Sequence, residues 1–108
     1  MTNKTLYRVT FAYLDAVYEI YARKMSESDL FGFILIEDIV FGENTSLVVD
    51  PAEERLKVEF NSVKRTYIPM QAVFRIDEVS KQGVAKVRDK SSDVNKVSIF
   101  PIPGKPKD

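Results

Sequence analysis

Apolar and polar side chains alternate along the first part of the chain, and this period of two constrains the fold more than any other feature. In residues 5–14 the alternation places Tyr7 and Phe11 on one face, opposite polar side chains. A turn signal at Asp15 separates this run from residues 16–24, where the same alternation continues. Two alternating runs joined by a tight turn predict a β-hairpin.

A third strand is predicted to begin near Gly32, and its apolar residues fall on both alternations. The two sets are Phe33, Leu35, Ile39 and Phe41 on one side and Ile34, Ile36 and Val40 on the other. A strand of this kind is either central in the fold or bent by a bulge at Glu37 and Asp38. The alternative is an apolar outer face near Ile34, Ile36 and Val40, which would dimerise or receive a peptide as an added strand.

One helix start stands out in the middle of the chain. Asp50 is a suitable N-cap, Pro51 suits the first helical position, and Glu53 occupies the position of a capping-box acid. These signals predict a helix from Pro51 to about Phe60. Glu53 and Lys57 are spaced and ordered for an ion pair on the solvent side of that helix.

The second half of the chain returns to extended structure. Residues 63–68 predict a strand, and Pro69 must interrupt the ladder because it has no backbone N–H to donate. Residues 72–79 resume the extended pattern, so two short strands are expected to meet at a corner. Residues 84–87 are a candidate sixth strand, and residues 97–100 are expected to pair at an edge of the sheet.

These elements predict a mainly β domain with one helix. We expect a small five- or six-stranded barrel of the SH3 or Sm type, with the helix inserted between strands 3 and 4. The alternative is an open α+β sheet covered by the helix, and the two differ in whether the first and fifth strands pair. A chain of 108 residues suits one core. We assign residues 1–100 to a single domain and expect the proline-containing residues 101–108 to form a flexible tail.

The composition excludes several chemistries. The chain has no cysteine and no histidine, which rules out Cys nucleophiles, Ser-His and Cys-His relays, and thiolate or imidazole zinc sites. Its 16 basic and 16 acidic residues balance, so no long-range field attracts nucleic acid or an anionic membrane. No apolar run approaches the roughly 18 residues of a membrane span. We therefore expect a cytoplasmic protein that is not an enzyme, carries no cofactor and has no membrane partner.

Basic residues interleaved with aromatic residues form the candidate binding set. Cations neutralise phosphate and aromatic rings stack on bases, which are the two requirements of single-stranded nucleic-acid binding. The pattern is equally typical of ordinary strands with charged edges. The candidate residues are Arg8, Tyr21, Arg23, Lys64, Arg65 and Tyr67.

Residues 63–79 resemble the closing pair of strands in Sm-like barrels. The stretch Tyr67-Ile68-Pro69-Met70-Gln71-Ala72-Val73 is similar to a run in the stringent starvation protein B group of protease adaptors. The resemblance implies a barrel corner at Pro69 and a role in binding a protein or peptide segment.

A longer resemblance covers nearly the whole chain. It is carried by Tyr7-Arg8-Val9, Val17-Tyr18-Glu19, Asp29-Leu30-Phe31-Gly32-Phe33, Val40-Phe41-Gly42-Glu43, Val49-Asp50-Pro51, Val63-Lys64-Arg65, Ile68-Pro69-Met70 and Arg75-Ile76-Asp77-Glu78-Val79. These segments resemble a bacterial family described only as domain-of-unknown-function family 1820. Membership implies a cytoplasmic bacterial protein and carries no known activity.

The sequence thus favours binding over catalysis. The leading hypothesis is a non-enzymatic, adaptor-like module that binds a protein or peptide through a barrel groove or an exposed strand edge. The alternative is an Sm-like protein that binds RNA or other nucleic acid through the basic and aromatic set. A homodimer through the third strand is a further use of the same sheet surface.

Overall fold

The fold is seen in a computed structural model, which describes residues 5–42 and 50–89. The predicted edge strand at residues 97–100 and the predicted tail at residues 101–108 lie outside those ranges. Within the described ranges the elements are, in chain order, β1 Tyr7–Tyr13, β2 Ala16–Glu27, β3 Phe33–Val40, α1 Pro51–Glu59, β4 Arg65–Pro69, a 3₁₀ turn Met70–Ala72, β5 Val73–Glu78 and β6 Lys86–Asp89.

The predicted hairpin is formed by β1 and β2. The strands pair antiparallel, with Val9 opposite Ile20 and Tyr13 opposite Ala16 at the turn end. Leu14, in the two-residue turn, has a φ of 55°. Two-residue hairpin turns require positive φ angles, which match the twist of the strands but are unfavourable for a side chain such as leucine. The hairpin is therefore confirmed, with a strained residue at its tip.

All six strands belong to one antiparallel sheet. The order is β4-β3-β2-β1-β5, and β6 pairs with the beginning of β2. The long strand β2 contacts β1 through residues 16–22. It contacts β6 through residues 16–19 and β3 through residues 21–27. One strand therefore organises the sheet, because β2 pairs directly with three others.

The predicted fold class is confirmed at the level of a mainly β protein with one helix. β1 pairs with β5, with Val9 opposite Ile76, which is the pairing expected of the barrel alternative. Among the described residues, however, the end strands β4 and β5 are not paired with each other. The sheet is therefore open, and the predicted barrel closure is not confirmed.

The core is built from the inward face of the hairpin, β3 and the helix. Val9, Ile20, Ile36 and Leu56 are its largest fully buried side chains. Leu56 belongs to α1, so the helix contributes directly to the apolar core that the strands form. Burying side chains of this size contributes on the order of 2 kcal/mol each, which makes this core the main source of stability.

A backbone irregularity explains why β3 is apolar on both alternations. Ile34 and Ile36 are buried in the core, whereas beyond Asp38 it is Ile39 and Phe41 that pack against it. Asp38 has a φ of 56°, in the left-handed region. The chain changes its inward-facing alternation at Asp38, so Ile34 and Ile36 face the core before it and Ile39 and Phe41 after it.

The start of α1 is as the sequence predicts. Asp50 Oδ1 accepts hydrogen bonds from the backbone N–H groups of Ala52, at 2.9 Å, and Glu53, at 3.2 Å. Pro51 is the first helical residue, and the helix ends at Glu59 with Phe60 as its C-cap. An N-cap of this kind stabilises a helix by about 1 kcal/mol.

The predicted role of Glu53 is wrong. Glu53 is buried at 8% exposure, and its Oε2 accepts hydrogen bonds from the backbone N–H groups of Gly42, at 3.3 Å, and Ala85, at 3.1 Å. Lys57 instead pairs with Glu54, with 3.1 Å between Nζ and Oε2. Glu53 lies three residues before the buried Leu56 on α1, so it faces inward, where backbone donors satisfy its carboxylate.

The last two strands follow from local constraints. Met70 N donates to Gly32 O at 2.8 Å, which holds the predicted corner after Pro69 against the start of β3. β6 begins at Lys86 rather than at residue 84. The reason is Ala85, whose N–H donates to the Glu53 carboxylate instead of to a strand partner.

Candidate functional site

Two of the predicted binding residues lie in one row on the outer face of the sheet. Arg8 of β1 is opposite Tyr21 of β2 on one side and Asp77 of β5 on the other. Arg8 Nη2 and Asp77 Oδ2 are 2.8 Å apart, and Asp77 also pairs with Arg75 at 3.0 Å. Hydrogen bonds to Asp77 and Tyr21 raise the pKa of Arg8, and the hydrogen bond from Arg8 lowers the pKa of Asp77. The charge of Arg8 is thus balanced within the chain.

Tyr21 is not an exposed stacking surface. It is 5% exposed, and Gly83 lies against its ring. A Cβ atom on Gly83 would stand 2.5 Å from the Tyr21 hydroxyl oxygen, so the close approach requires glycine. The link between β5 and β6 therefore covers the outer row at this point.

The remaining basic candidates do not join Arg8 in a single patch. Arg65 pairs with Glu37, with 3.3 Å between Nε and Oε2. Arg23 donates to the backbone oxygen of Thr5 at 3.4 Å, and Lys64 is exposed just before β4. β4 is separated from β1 by β3 and β2, so the candidates are distributed along the sheet. Acidic partners are interspersed among them.

The proposed interface residues of β3 are mostly enclosed. Ile34 and Ile36 are 7% and 0% exposed and belong to the core, and Val40 is half-buried. The expectation of an apolar outer face at the two isoleucines is corrected by this placement. Its physical reason is the change of facing at Asp38, which turns Ile34 and Ile36 before it, and Ile39 and Phe41 after it, toward one core.

An aromatic groove lies between the hairpin, the end of the helix and β4. Its volume is about 290 Å³, and it is lined by residues 11–13, Tyr18, residues 59–60 and residues 66–69. We call this feature the aromatic groove. β1 and β4 are three positions apart in the sheet order, so their sharing one groove shows that the sheet is strongly curled.

Ring contacts organise the floor of the aromatic groove around Tyr18. Tyr18 stacks on Phe11, with 5.2 Å between ring centroids and 14° between planes. It meets Tyr13 and Phe60 edge to face at 5.9 and 6.5 Å. Such pairs contribute about 1 kcal/mol each beyond their burial, so the floor is a rigid surface.

Two half-exposed tyrosines line the aromatic groove. Tyr13 is 53% exposed and Tyr67 is 43% exposed, whereas Phe11 and Ile68, which also line the groove, are buried. Tyr67 is therefore the one residue of the predicted binding set that lines the groove. Pro69 adds a further rigid apolar surface on the same side.

A single carboxylate gives the aromatic groove its polar end. The Tyr18 hydroxyl donates to the Glu59 carboxylate, with 3.1 Å to each oxygen. Burial and the neighbouring Glu59 charge raise the pKa of Tyr18 to about 12. The phenol therefore remains a hydrogen-bond donor further into the alkaline range than an ordinary tyrosine, and Glu59 is the charged residue among those that line the groove.

Apart from Tyr67, the residues of the aromatic groove were not among the predicted binding residues. Tyr13 and Tyr18 flank the hairpin turn, and this spacing was the available signal, since it brings both rings to one face across a tight turn. Glu59 and Phe60 join them only because the end of α1 packs there, which no local pattern indicates. The groove is thus a product of tertiary structure.

Metal sites and membrane spans can be assessed over the part of the chain that the structure describes. No group of three or more acidic side chains there converges closely enough to hold a metal ion. Nor does any helix among those residues have the length and apolar character of a membrane span.

Comparison with known proteins identifies the family. Residues 5–102 match the model of the family described as Domain of unknown function (DUF1820). No curated protein and no solved structure matches the chain. The resemblance that the sequence carries to this family is thereby confirmed, whereas the local likeness to Sm-like barrels stays a prediction. Since the match covers most of the chain, the protein belongs to the DUF1820 family.

Proposed function

We propose that the protein is a non-enzymatic, adaptor-like module that binds an extended segment of a partner protein in the aromatic groove. The observation that carries this proposal is the pair of half-exposed tyrosines, Tyr13 and Tyr67, above a buried floor. Apolar clefts with a few placed polar groups are the usual form of a binding site. Residues with large rings and few rotatable bonds also supply most of the binding energy in such sites.

The lining of the aromatic groove favours a proline-containing ligand with one basic residue. Flat aromatic walls accept prolyl rings, and a polyproline II segment is already extended, so little conformational entropy is lost when it binds. Glu59 lies at one end of the groove and complements a Lys or Arg of the ligand. An acidic segment would be disfavoured by the same carboxylate.

We also propose that the curled sheet is related to the SH3- and Sm-like barrels, with β4 and β5 not paired with each other among the described residues. Three observations support this: β1 pairs with β5, the 3₁₀ turn Met70–Ala72 joins the two end strands, and β1 and β4 line one groove. In barrels of this kind, grooves next to the connecting loops are common ligand sites.

Nucleic-acid binding has less support. Arg8 and Arg65 are paired with carboxylates, and Tyr21 is buried beneath Gly83. A phosphate backbone would have to displace those acids, and bases would have no ring at Tyr21 on which to stack.

The proposal is tested by selecting ligands from a displayed library of random twelve-residue peptides against the full chain. We expect the selected peptides to contain proline and at least one basic residue. Tyr67→Ala should weaken their binding about tenfold, as expected when a central aromatic contact is removed. Phe74→Ala is the matched control, because Phe74 is 58% exposed and does not line the aromatic groove.

Two results would contradict the proposal. One is a selection that yields no peptide, and the other is equal binding by Tyr67→Ala and Phe74→Ala. Retardation of single-stranded RNA at low salt, lost on Arg65→Ala and unchanged by Tyr67→Ala, would favour the nucleic-acid alternative instead.

A further inference from the structure

The aromatic groove follows an edge of β4 instead of lying over one face of that strand. Four consecutive residues of β4, 66–69, line the groove. Successive side chains of a strand point to opposite faces of the sheet, so a cavity over one face would be lined by every second residue only. A ligand in the groove therefore lies beside the backbone of β4.

Backbone groups along this edge of β4 have no strand partner in the described part of the chain. There, β4 pairs with β3 alone. Met70 N donates to Gly32 O, which continues the register of the two strands and fixes its alternation. In an antiparallel pair, every second residue points its N–H and C=O groups away from the partner strand. By this alternation, the backbone groups of Arg65 and Tyr67 point away from β3.

Pro69 is consistent with the same alternation. It lies two residues after Tyr67, so its nitrogen faces away from β3, where the missing N–H breaks no bond of the sheet. Its carbonyl oxygen still faces that side. We call the outward backbone groups of Arg65, Tyr67 and Pro69 the free edge of β4. A charged residue at one end and a proline at the other limit such an edge to a short added strand.

We infer that the partner segment binds in the aromatic groove as an added strand on the free edge of β4, where it exchanges backbone hydrogen bonds with Tyr67. The inference rests on the proposed function and names how the ligand is recognised. Main-chain bonds supply affinity in this mode, and the side-chain contacts supply specificity. The carboxylate of Glu59 complements a basic residue of the same segment.

Strand addition restricts the ligand more than an aromatic groove alone would. Every second ligand residue must present an N–H to β4, so proline is accepted only at the positions between them. A polyproline II segment held by ring contacts alone would accept proline at consecutive positions, since it uses no backbone N–H. The position of the prolines in the ligand thus separates the two modes.

The bonds are tested with the full chain and a library-selected peptide that carries one N-methylated residue at a time. N-methylation removes a single N–H and keeps the side chain. Within the bound stretch, we expect every second N-methyl group to weaken binding about tenfold, because a carbonyl of β4 loses its donor and meets a methyl group. N-methyl groups at the positions between should change the affinity little. An absence of alternation would overturn the inference.

Hydrogen exchange locates the added strand on the protein without any substitution. We expect the bound peptide to slow exchange of the Tyr67 amide about tenfold or more, because that amide gains an acceptor. Ile76 is the matched control. Val79 N donates to Leu6 O, so by alternation the amide of Ile76 points outward from β5, the other end strand of the sheet. Its exchange should not change.

The outcomes separate this inference from the proposed function. If peptides bind and Tyr67→Ala weakens them, but the scan does not alternate and exchange at Tyr67 is unchanged, the inference falls and the proposed function stands. If no peptide is selected, both fall. Slowed exchange at Ile76 in place of Tyr67 would move the added strand to β5 and would also overturn both.

Discussion

Tyr18 and Tyr21 lie three residues apart on β2 and are almost equally buried, at 7% and 5% exposure, yet their surroundings differ. Tyr21 faces the outer row, where Gly83 covers it and Arg8 and Asp77 pair beside it. Both the ring and the hydroxyl of Tyr21 therefore make their contacts within the chain itself.

Tyr18 lies on the floor of the aromatic groove. Three rings and the Glu59 carboxylate hold it in place, but the groove above it remains open between Tyr13 and Tyr67. Arg8, Tyr21 and Asp77 of the outer row are thus engaged within the fold, whereas Tyr13 and Tyr67 of the aromatic groove keep exposed surface.

The largest expected effect on stability comes from changing Gly83, which covers the buried Tyr21. Gly83→Ala places a methyl group against the Tyr21 hydroxyl and should lower the free energy of unfolding by about 2 kcal/mol, because the cover over a buried ring must move. Peptide affinity should not change. Denaturant unfolding gives the first quantity and a peptide titration the second.

The double variant Gly83→Ala/Tyr21→Phe is the control. Removing the hydroxyl oxygen relieves the contact, so the double variant should be less destabilised than the two single changes predict when added. Additive effects would mean that the cost of a methyl group at residue 83 does not come from its contact with the Tyr21 hydroxyl.

The next effect concerns Tyr18 in the aromatic groove. Tyr18→Phe removes the hydrogen bond to Glu59 and should lower the free energy of unfolding by about 1.5 kcal/mol at neutral pH, since the acceptor is charged. Tyr13→Phe is the matched control, because it also removes a phenol from the aromatic groove, and it should change stability less. Equal effects of the two changes would contradict the assigned role of the Tyr18 hydroxyl.

The raised pKa of Tyr18 predicts an alkaline signature of the same contact. The folded pKa of about 12 lies above the ordinary value of 10, so the unfolded chain releases this proton first as the pH rises. The stability that this group contributes is present below pH 10 and is lost between about pH 10 and 12. The slope of stability against pH in that window should be smaller in Tyr18→Phe, and an unchanged slope would refute this explanation.

The next prediction concerns backbone strain at the hairpin turn, beside the aromatic groove. Leu14→Asn should raise the free energy of unfolding by about 1 kcal/mol, because asparagine tolerates the positive φ better than leucine. Asp15→Asn, at the neighbouring turn position, is a control for the change of side chain. No gain at residue 14 would mean that the turn imposes no strain there.

The smallest effect is expected at the outer ion pair. The pKa of Asp77 is lowered by its hydrogen bond from Arg8, so its contribution to stability is present above the ordinary pKa and is lost as the pH falls through the lowered value. Asp77→Asn should therefore be slightly less stable than the unaltered chain at neutral pH and equally stable in strong acid. A difference that persists in acid would point to packing instead of charge.

Local features of the fold were predictable from the sequence. The hairpin, the Asp50 cap and the corner after Pro69 each depend on side chains within a few residues of one another. The possibility of a bend at Asp38 was also visible, since the apolar residues of β3 occupy both alternations.

Long-range features were not predictable. Glu53 has the position of a capping-box acid, but of its partners Gly42 precedes α1 and Ala85 follows it by more than one strand. The aromatic groove likewise joins Tyr13 to Tyr67 through the curl of the sheet, which no local period encodes. The alternation of apolar and polar residues predicted which strand faces are apolar, but not which apolar face remains exposed to solvent.

We propose that the aromatic groove, and not the outer row, is the binding surface. The most direct measurement adds a library-selected peptide to the full chain and follows the backbone amide signals of the protein by NMR. We expect the signals of Tyr13 and Tyr67 to shift while those of Arg8 and Tyr21 stay in place. Shifts confined to Arg8, Tyr21 and their neighbours on the outer row would contradict it.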